Sequence, residues 1–184
     1  RFDRERAADG MDYVRHRMVS GLTVLDADEA DHTTWSYLLL ADELKRWSVR
    51  IADARRELYC RMVFNALVSN TDDHPRNHAL IAPGRAWQLA PAYDITPTPM
   101  LGSHERDLAM ECGRGSRRAS RANLLTGAPR FGLTADEAGV EIDRLKGIVS
   151  REWAAEVRRQ GGTAADCAAI APAFVDEGFE YAVA

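Results

Sequence analysis

Between residues 53 and 94 the chain changes character three times, and that succession limits the folds open to it. Apolar residues at helical spacing (Leu58, Met62, Val63, Ala66, Leu67) mark a helix from about Asp53 to Ser69. The period then stops in the polar run Asn70-Thr71-Asp72-Asp73-His74-Pro75-Arg76-Asn77. Beyond it, His78-Ala79-Leu80-Ile81-Ala82 and Ala86-Trp87-Gln88-Leu89-Ala90 flank Pro83-Gly84, the pattern of two short strands in a hairpin. A helix therefore delivers the chain to a polar loop, and the hairpin folds Asn77 and Asp94 back towards each other.

Other segments add helices. Thr33 or Thr34 is positioned to cap one through Trp35, Leu38, Leu39, Asp42 and Leu44. Thr134-Ala135-Asp136-Glu137 fits a capping box opening a helix with Ile142, Leu145, Ile148, Val149 and Trp153 on its core side, ended by Gly161-Gly162. A last helix starts near Thr163, with Asp166 three residues on, and is disturbed by Pro172 before Phe174, Phe179 and Tyr181. Pro97, Pro99 and Gly102 mark an irregular stretch after Asp94. The predicted fold class is mostly α, with a small hairpin beside the polar loop.

A chain of 184 residues fits one domain burying roughly 70% of its unfolded surface. Its net charge of −4 offers no global attraction to nucleic acid or anionic membranes. No apolar run approaches bilayer length. Cys60, Cys112 and Cys167 have no ligand-like pairing, which suits a reducing cytoplasm, and Cys60 and Cys167 are expected in the core. His16, His32, His78 and His104 lack metal-ligand spacing.

The chemistry concentrates in Asp72, Asn77 and Asp94. An acid, an amide five residues later and a second acid beyond a hairpin suit metal-assisted phosphoryl transfer: the first acid orients or deprotonates a hydroxyl, and the other two hold Mg²⁺ against phosphates. The same loop also suits plain capping by Asp72, Asp73, Asn70 and Asn77 through side chain to backbone bonds, the role expected of Asp73. His74, two residues after the first acid, either donates to a transferred phosphate or orients the loop, and Arg76 is a candidate contact to phosphate or substrate. The cluster Arg114 to Arg121 reads either as a solvated turn or as a patch for phosphate groups.

The stretch Phe64 to His78, followed by Trp87-Gln88-Leu89-Ala90-Pro91-Ala92-Tyr93-Asp94, resembles the catalytic core of HipA-type serine/threonine kinases, the toxin halves of bacterial toxin–antitoxin pairs. The likeness continues through Leu108-Ala109-Met110, Arg121-Ala122-Asn123-Leu124-Leu125 and Arg130 to Ala138. It implies a helical kinase-like C-terminal lobe over 1–184, with Asp72 as base and Asn77 and Asp94 on Mg²⁺. Arg1-Phe2-Asp3-Arg4 resembles the family's hinge, so Phe2 and Asp3 are implied to meet the adenine of ATP. Tyr93 precedes the metal aspartate, and no Phe-Gly pair follows it.

Further expectations follow from the resemblance. No Gly-rich loop with a strand lysine is found, so the ATP-gripping N-terminal lobe is expected outside this chain, and the isolated segment is expected to be inactive. Ile95 to Arg106 takes the place of an activation segment by chain order. The implied substrate is a protein hydroxyl, with aminoacyl-tRNA synthetases as family targets, and the implied partner is a DNA-binding antitoxin, with indirect DNA contact through Arg114 to Arg121. Two rivals stand beside this reading: a non-catalytic antitoxin-docking module and a small-molecule phosphotransferase. A phosphohydrolase built on Asp72, Asp73 and His74 has too few ligands for a two-metal site.

Overall fold

The computed structural model describes residues 2–7, 10–99, 106–174 and 177–180. The architecture is mostly α, as the sequence patterns predict. Strands β1 (Arg4–Arg6) and β2 (Tyr13–Arg15) form an antiparallel pair, and β3 (Arg17–Ser20) leads into the short helix α1 (Gly21–Val24). Helices α2 (Tyr37–Trp47) and α3 (Ile51–Leu67) follow, then β4 (Ala79–Ala82) and β5 (Gln88–Leu89). Helices α4 (Arg121–Gly127), α5 (Ala135–Arg159) and α6 (Ala164–Ile170) complete the order.

The core lies where α2, α3 and α5 meet. Tyr37, Leu40 and Leu44 of α2, Leu58, Met62 and Val63 of α3, and Ile142 of α5 are fully enclosed, joined by Met110 and Leu124. Each such side chain stabilises the fold by about 1.5–3 kcal/mol relative to exposure. Glu141 ties α5 to α3: its carboxylate accepts from Arg56 Nε at 2.9 Å and from Arg144 Nε at 2.7 Å. Burial pushes this carboxyl up, but the two guanidinium partners outweigh it and hold it below its ordinary value.

Local signals place most helix ends. Thr134 and Glu137 form the expected capping box, Thr163 and Asp166 form another, and α5 ends just before Gly161, whose φ is 92°. Pro172 sits in a 3₁₀ turn over Ala171–Ala173 that closes α6. Helix α3 begins at Ile51, two residues before the predicted start. Along α5, Ile142 and Val149 are buried as expected, whereas Ile148 is exposed and Trp153 stacks on Phe174 at 4.5 Å. Tyr181, Gly102 and His104 lie outside the described residues.

Three expectations need correction. The cap of α2 is Ser36, whose hydroxyl accepts from the Leu38 and Leu39 amides, not Thr33 or Thr34; those belong to a 3₁₀ turn capped by Asp31. Ser36 is fixed from afar, because Tyr37 donates its amide to the Glu111 carbonyl at 3.0 Å and Glu111 returns one to Trp35 at 2.8 Å. Cys60 and Cys167 are only partly buried, and Cys112 is the enclosed thiol, pushed up to about 12 by burial. The predicted hairpin is present as β4 and β5, but it belongs to a three-stranded sheet of order β3-β4-β5 that the sequence reading did not contain.

That sheet positions the loop. Arg17 to Ser20 pair antiparallel with Ala82 to Ala79, and Leu80 and Ile81 pair with Leu89 and Gln88. Where β3 runs into α1, Gly21 donates its amide to the His78 carbonyl at 2.7 Å. A Cβ on Gly21 would stand 2.6 Å from the Pro75 carbonyl oxygen and 3.2 Å from His78 Cβ. Gly21→Ala therefore displaces the polar loop, and thermal melting should show a loss of about 1–3 kcal/mol. An unchanged melting temperature would mean that the loop yields freely.

Candidate functional site

Helix α3 ends at Leu67, and the chain turns through Ser69 into Asn70, Thr71 and Asp72. The turn is sharp: Ser69 has φ 52°, and its carbonyl accepts the Thr71 amide at 2.9 Å. Pro75–Asn77 forms a 3₁₀ turn with proline in its first turn, where the missing N–H costs nothing. His74 supplies the carbonyl that accepts the Asn77 amide at 2.9 Å.

Beneath this loop lies a buried carboxylate. Asp73 Oδ2 accepts from Asn65 Nδ2 at 2.7 Å, from His78 Nε2 at 2.8 Å and from the Tyr37 hydroxyl. Asn70 Nδ2 donates to Asn65 Oδ1 at 3.1 Å, which extends the network back into the loop. Burial pushes the Asp73 carboxyl up, but His78, the Tyr37 hydroxyl and the nearby His74 oppose it, leaving it below its ordinary value. Burial, reinforced by the Asp73 charge, pushes Tyr37 well up, so its hydroxyl stays a donor. Asp73 is structural, but not as the local cap expected of it: its carboxylate bonds side chains rather than backbone and joins α2 and α3 to His78, just before β4.

The neighbouring residues differ in kind. Asp72 is exposed, and no donor reaches its carboxylate among the described residues; its backbone carbonyl accepts Asn77 Nδ2 at 3.3 Å. That bond fixes the amide of Asn77, itself 6% exposed, and leaves Oδ1 without a donor among the described residues. Asp94 is exposed with its carboxylate unpaired among the described residues, and its φ of 59° is left-handed. Such a backbone is rare outside glycine, although Asp and Asn tolerate it best. Strain of this kind persists where the surroundings over-determine it.

The surroundings do so here. The Tyr93 hydroxyl donates to the Arg76 carbonyl at 2.5 Å, the Ala90 amide to the Ala79 carbonyl at 2.9 Å, and the Thr98 amide to the Ser69 carbonyl at 3.1 Å. Arg61 of α3, with a side chain 10% exposed, donates from Nη2 to the Ala90 carbonyl at 2.8 Å. The residues on both sides of Asp94 are thereby tied to the loop carrying Asp72 and Asn77. A cavity of about 10 Å³, room for one water, remains between Asn77, Asp73, Tyr93 and Arg61.

The other expected site residues scatter around this frame. Phe2 packs on Tyr93 with ring centroids 5.4 Å apart, which brings the hinge-like segment beside Asp94. Asp3 lies 3.5 Å from Arg4 Nε, and its carbonyl accepts the His16 amide. His74 is half-buried and lies edge-on to Trp35 at 6.0 Å. Arg76 points to an ion pair with Glu29 at 2.5 Å. Of Ile95 to Arg106, residues 100–105 lie outside the described residues.

The donor set suits a magnesium ion assisted by a nucleotide: one unpaired carboxylate and one amide oxygen, both hard oxygen donors. Among the described residues no group of three or more His, Cys, Asp or Glu could hold a metal alone. The basic cluster does not form a free patch. Arg118 lies 3.4 Å from Asp107, Arg121 is bound to Asp143 at 2.6 Å, and Arg117 donates to the His32 carbonyl. No helix among the described residues is long and apolar enough to cross a membrane.

Tyr37 was invisible as a partner of Asp73 in the sequence, since only the packing of α2 on α3 brings it there, and Asn65 and His78 gave no sign that the loop would fold Asp73 inwards between them. No curated protein matches the chain. Among solved structures, it superposes on a chain from the complex of HipA, HipB and operator DNA of the Shewanella oneidensis MR-1 toxin–antitoxin system, with a TM-score of 0.75 and 18% identity. The match covers 100% of this chain and 50% of that one, so the present chain spans about half the length of that relative. Residues 1–158 match the HipA-like C-terminal domain, and with that match running through the polar loop, the hairpin and most of α5, the chain belongs to the HipA-like C-terminal domain family.

Proposed function

We propose that this domain is the catalytic lobe of a HipA-like protein serine/threonine kinase, acting with an ATP-gripping N-terminal lobe in a toxin–antitoxin pair. The observation that carries the reading is the contrast between Asp73, buried and fully engaged, and the oxygens of Asp72, Asn77 and Asp94, left without partners among the described residues on a frame tied down around them. Water satisfies the two exposed carboxylates, but stability alone gives no reason for a left-handed aspartate held between anchored neighbours.

In this mechanism Asp72 accepts the proton of a substrate hydroxyl. The freed oxygen attacks the γ-phosphorus of ATP, the bond to the bridging oxygen breaks, and ADP leaves with the electron pair. Asn77 Oδ1 and Asp94 would hold the magnesium ion, and the chemistry supplied there is neutralisation of phosphate charge. Phe2, beside Tyr93, suits a face of the adenine. The protein's own contribution is positioning, achieved by Asp73 below the loop and by Tyr93 and Thr98 on either side of Asp94.

The matched Shewanella chain comes from a complex of HipA, HipB and operator DNA, which supports an antitoxin as partner for the protein carrying this domain. The ion pairs of Arg118 and Arg121 weaken the case for direct DNA contact through that cluster. The class of substrate proposed is a protein hydroxyl, with aminoacyl-tRNA synthetases as first candidates.

The test is transfer of labelled γ-phosphate to lysate proteins by the two-lobed protein and by its Asp94→Asn form across a Mg²⁺ titration. The expected result is a labelled band that the variant loses at low Mg²⁺, with transfer down at least about 100-fold. A band of equal strength in both proteins would rule the mechanism out, and labelling of small molecules alone would point to the phosphotransferase instead.

A further inference from the structure

Ser69, three residues before Asp72, is a junction for segments far apart in the chain. It is 1% exposed, and its carbonyl accepts amides from Thr71 at 2.9 Å and from Thr98, four residues beyond Asp94, at 3.1 Å. Its hydroxyl donates to the Ala173 carbonyl at 2.6 Å and accepts from Arg106 Nη1. Arg106, 6% exposed, also donates from Nη2 to the Pro172 carbonyl at 2.6 Å and from Nη1 to the Ala173 carbonyl at 3.4 Å. Thus Thr98 and Arg106, on either side of the stretch that follows Asp94, meet at the residue opening the loop of Asp72.

Enclosing a guanidinium is costly, and charge-assisted bonds to oxygen must offset the lost hydration. An apolar side chain would fill the same space without that cost. What an arginine adds is direction: a planar fork with several donors at fixed angles, able to hold three carbonyl and hydroxyl oxygens in one arrangement. Pro172 and Ala173 lie beyond the 158 residues that match the family, so the turn closing α6 is recruited to the catalytic loop from outside the matched region.

We propose that Arg106 and Ser69 form a latch that sets the position of Asp94 relative to Asp72. Both are positioning residues, and neither touches substrate. The inference rests on the kinase reading for its effect on rate, but the latch itself is a statement about backbone order.

The experiment uses the two-lobed protein with Ser69→Gly, Arg106→Lys and the double variant. Glycine accepts the left-handed backbone of Ser69 and removes its small hydroxymethyl side chain, so Ser69→Gly should fold. Lysine keeps the charge of Arg106 but gathers its donors on one nitrogen, without the planar fork that spans oxygens on separate segments. Each single variant should lower kcat about 10- to 100-fold with the KM for ATP within about twofold, because misplacement costs rate rather than ground-state binding. The double variant should be no slower than Arg106→Lys alone, since the two act as one unit.

Amide hydrogen exchange at Thr71 and Thr98 should quicken in all three. Folded single variants with kcat within twofold of the parent, or losses that add in the double variant, would overturn the latch. If the parent protein transfers no phosphate, the kinase reading fails, and exchange alone then decides: faster exchange at Thr71 and Thr98 supports the latch, and unchanged exchange overturns it.

Discussion

Asp72→Asn in a protein carrying both lobes is expected to lower phosphoryl transfer by about 10²- to 10⁴-fold, the contribution of a positioned general base. Its melting temperature should stay within about 1 °C of the parent, because the Asp72 carboxylate is exposed and accepts no hydrogen bond among the described residues. The pairing of these two results separates catalysis from capping. A capping aspartate would show the reverse, a loss of about 0.5–2 kcal/mol with transfer intact. Single-turnover labelling and calorimetry on the same preparation give both readouts.

The second large effect belongs to the adjacent residue and is one of stability. Asp73→Asn removes the charge that faces His78 and the Tyr37 hydroxyl in a buried network, at an expected loss of about 3–5 kcal/mol at neutral pH. The pH dependence has a definite sign. Because Asp73 in the folded protein ionises below its ordinary range, its contribution is present above the unfolded carboxylate pKa of about 3.9 and is lost as pH falls through the folded value. The gap in melting temperature between parent and variant should therefore be full at pH 7 and close below about pH 4. An equal gap at both ends of that range would show that the carboxylate charge contributes nothing.

These two neighbours show what the sequence made legible and what it hid. The polar loop of Asp72 and Asn77 and the hairpin leading towards Asp94 could be read because the helix period stops sharply before the loop and the hairpin has its own turn signal at Pro83-Gly84. The capping boxes at Thr134 and Thr163 and the stop before Gly161 were legible for the same reason, since all the atoms involved lie within a few residues. Ser36 was missed because its conformation is imposed by Glu111, far along the chain, while Asp31 and Thr33 make a convincing local turn of their own.

Strand β3 left no period to read. Arg17 and Met18 face solvent and Val19 and Ser20 are only half-covered, so its pairing with β4 depends on partners about sixty residues away. The role of Arg106 was equally hidden. An arginine in a polar stretch gives no sign that it will be enclosed, and its acceptors come from the turn after α6 and from the end of α3.

The backbone at Asp94 has an evolutionary corollary. The left-handed conformation there favours glycine, asparagine and aspartate, while the proposed chelation of a hard cation asks for a charged oxygen donor, and aspartate alone meets both demands. Glutamate, the obvious chemical substitute, carries the right charge on the wrong main chain. Under the proposed mechanism, drift at this position therefore has no conservative intermediate: a change to asparagine keeps the shape and gives up the charge, and a change to glutamate keeps the charge and gives up the shape.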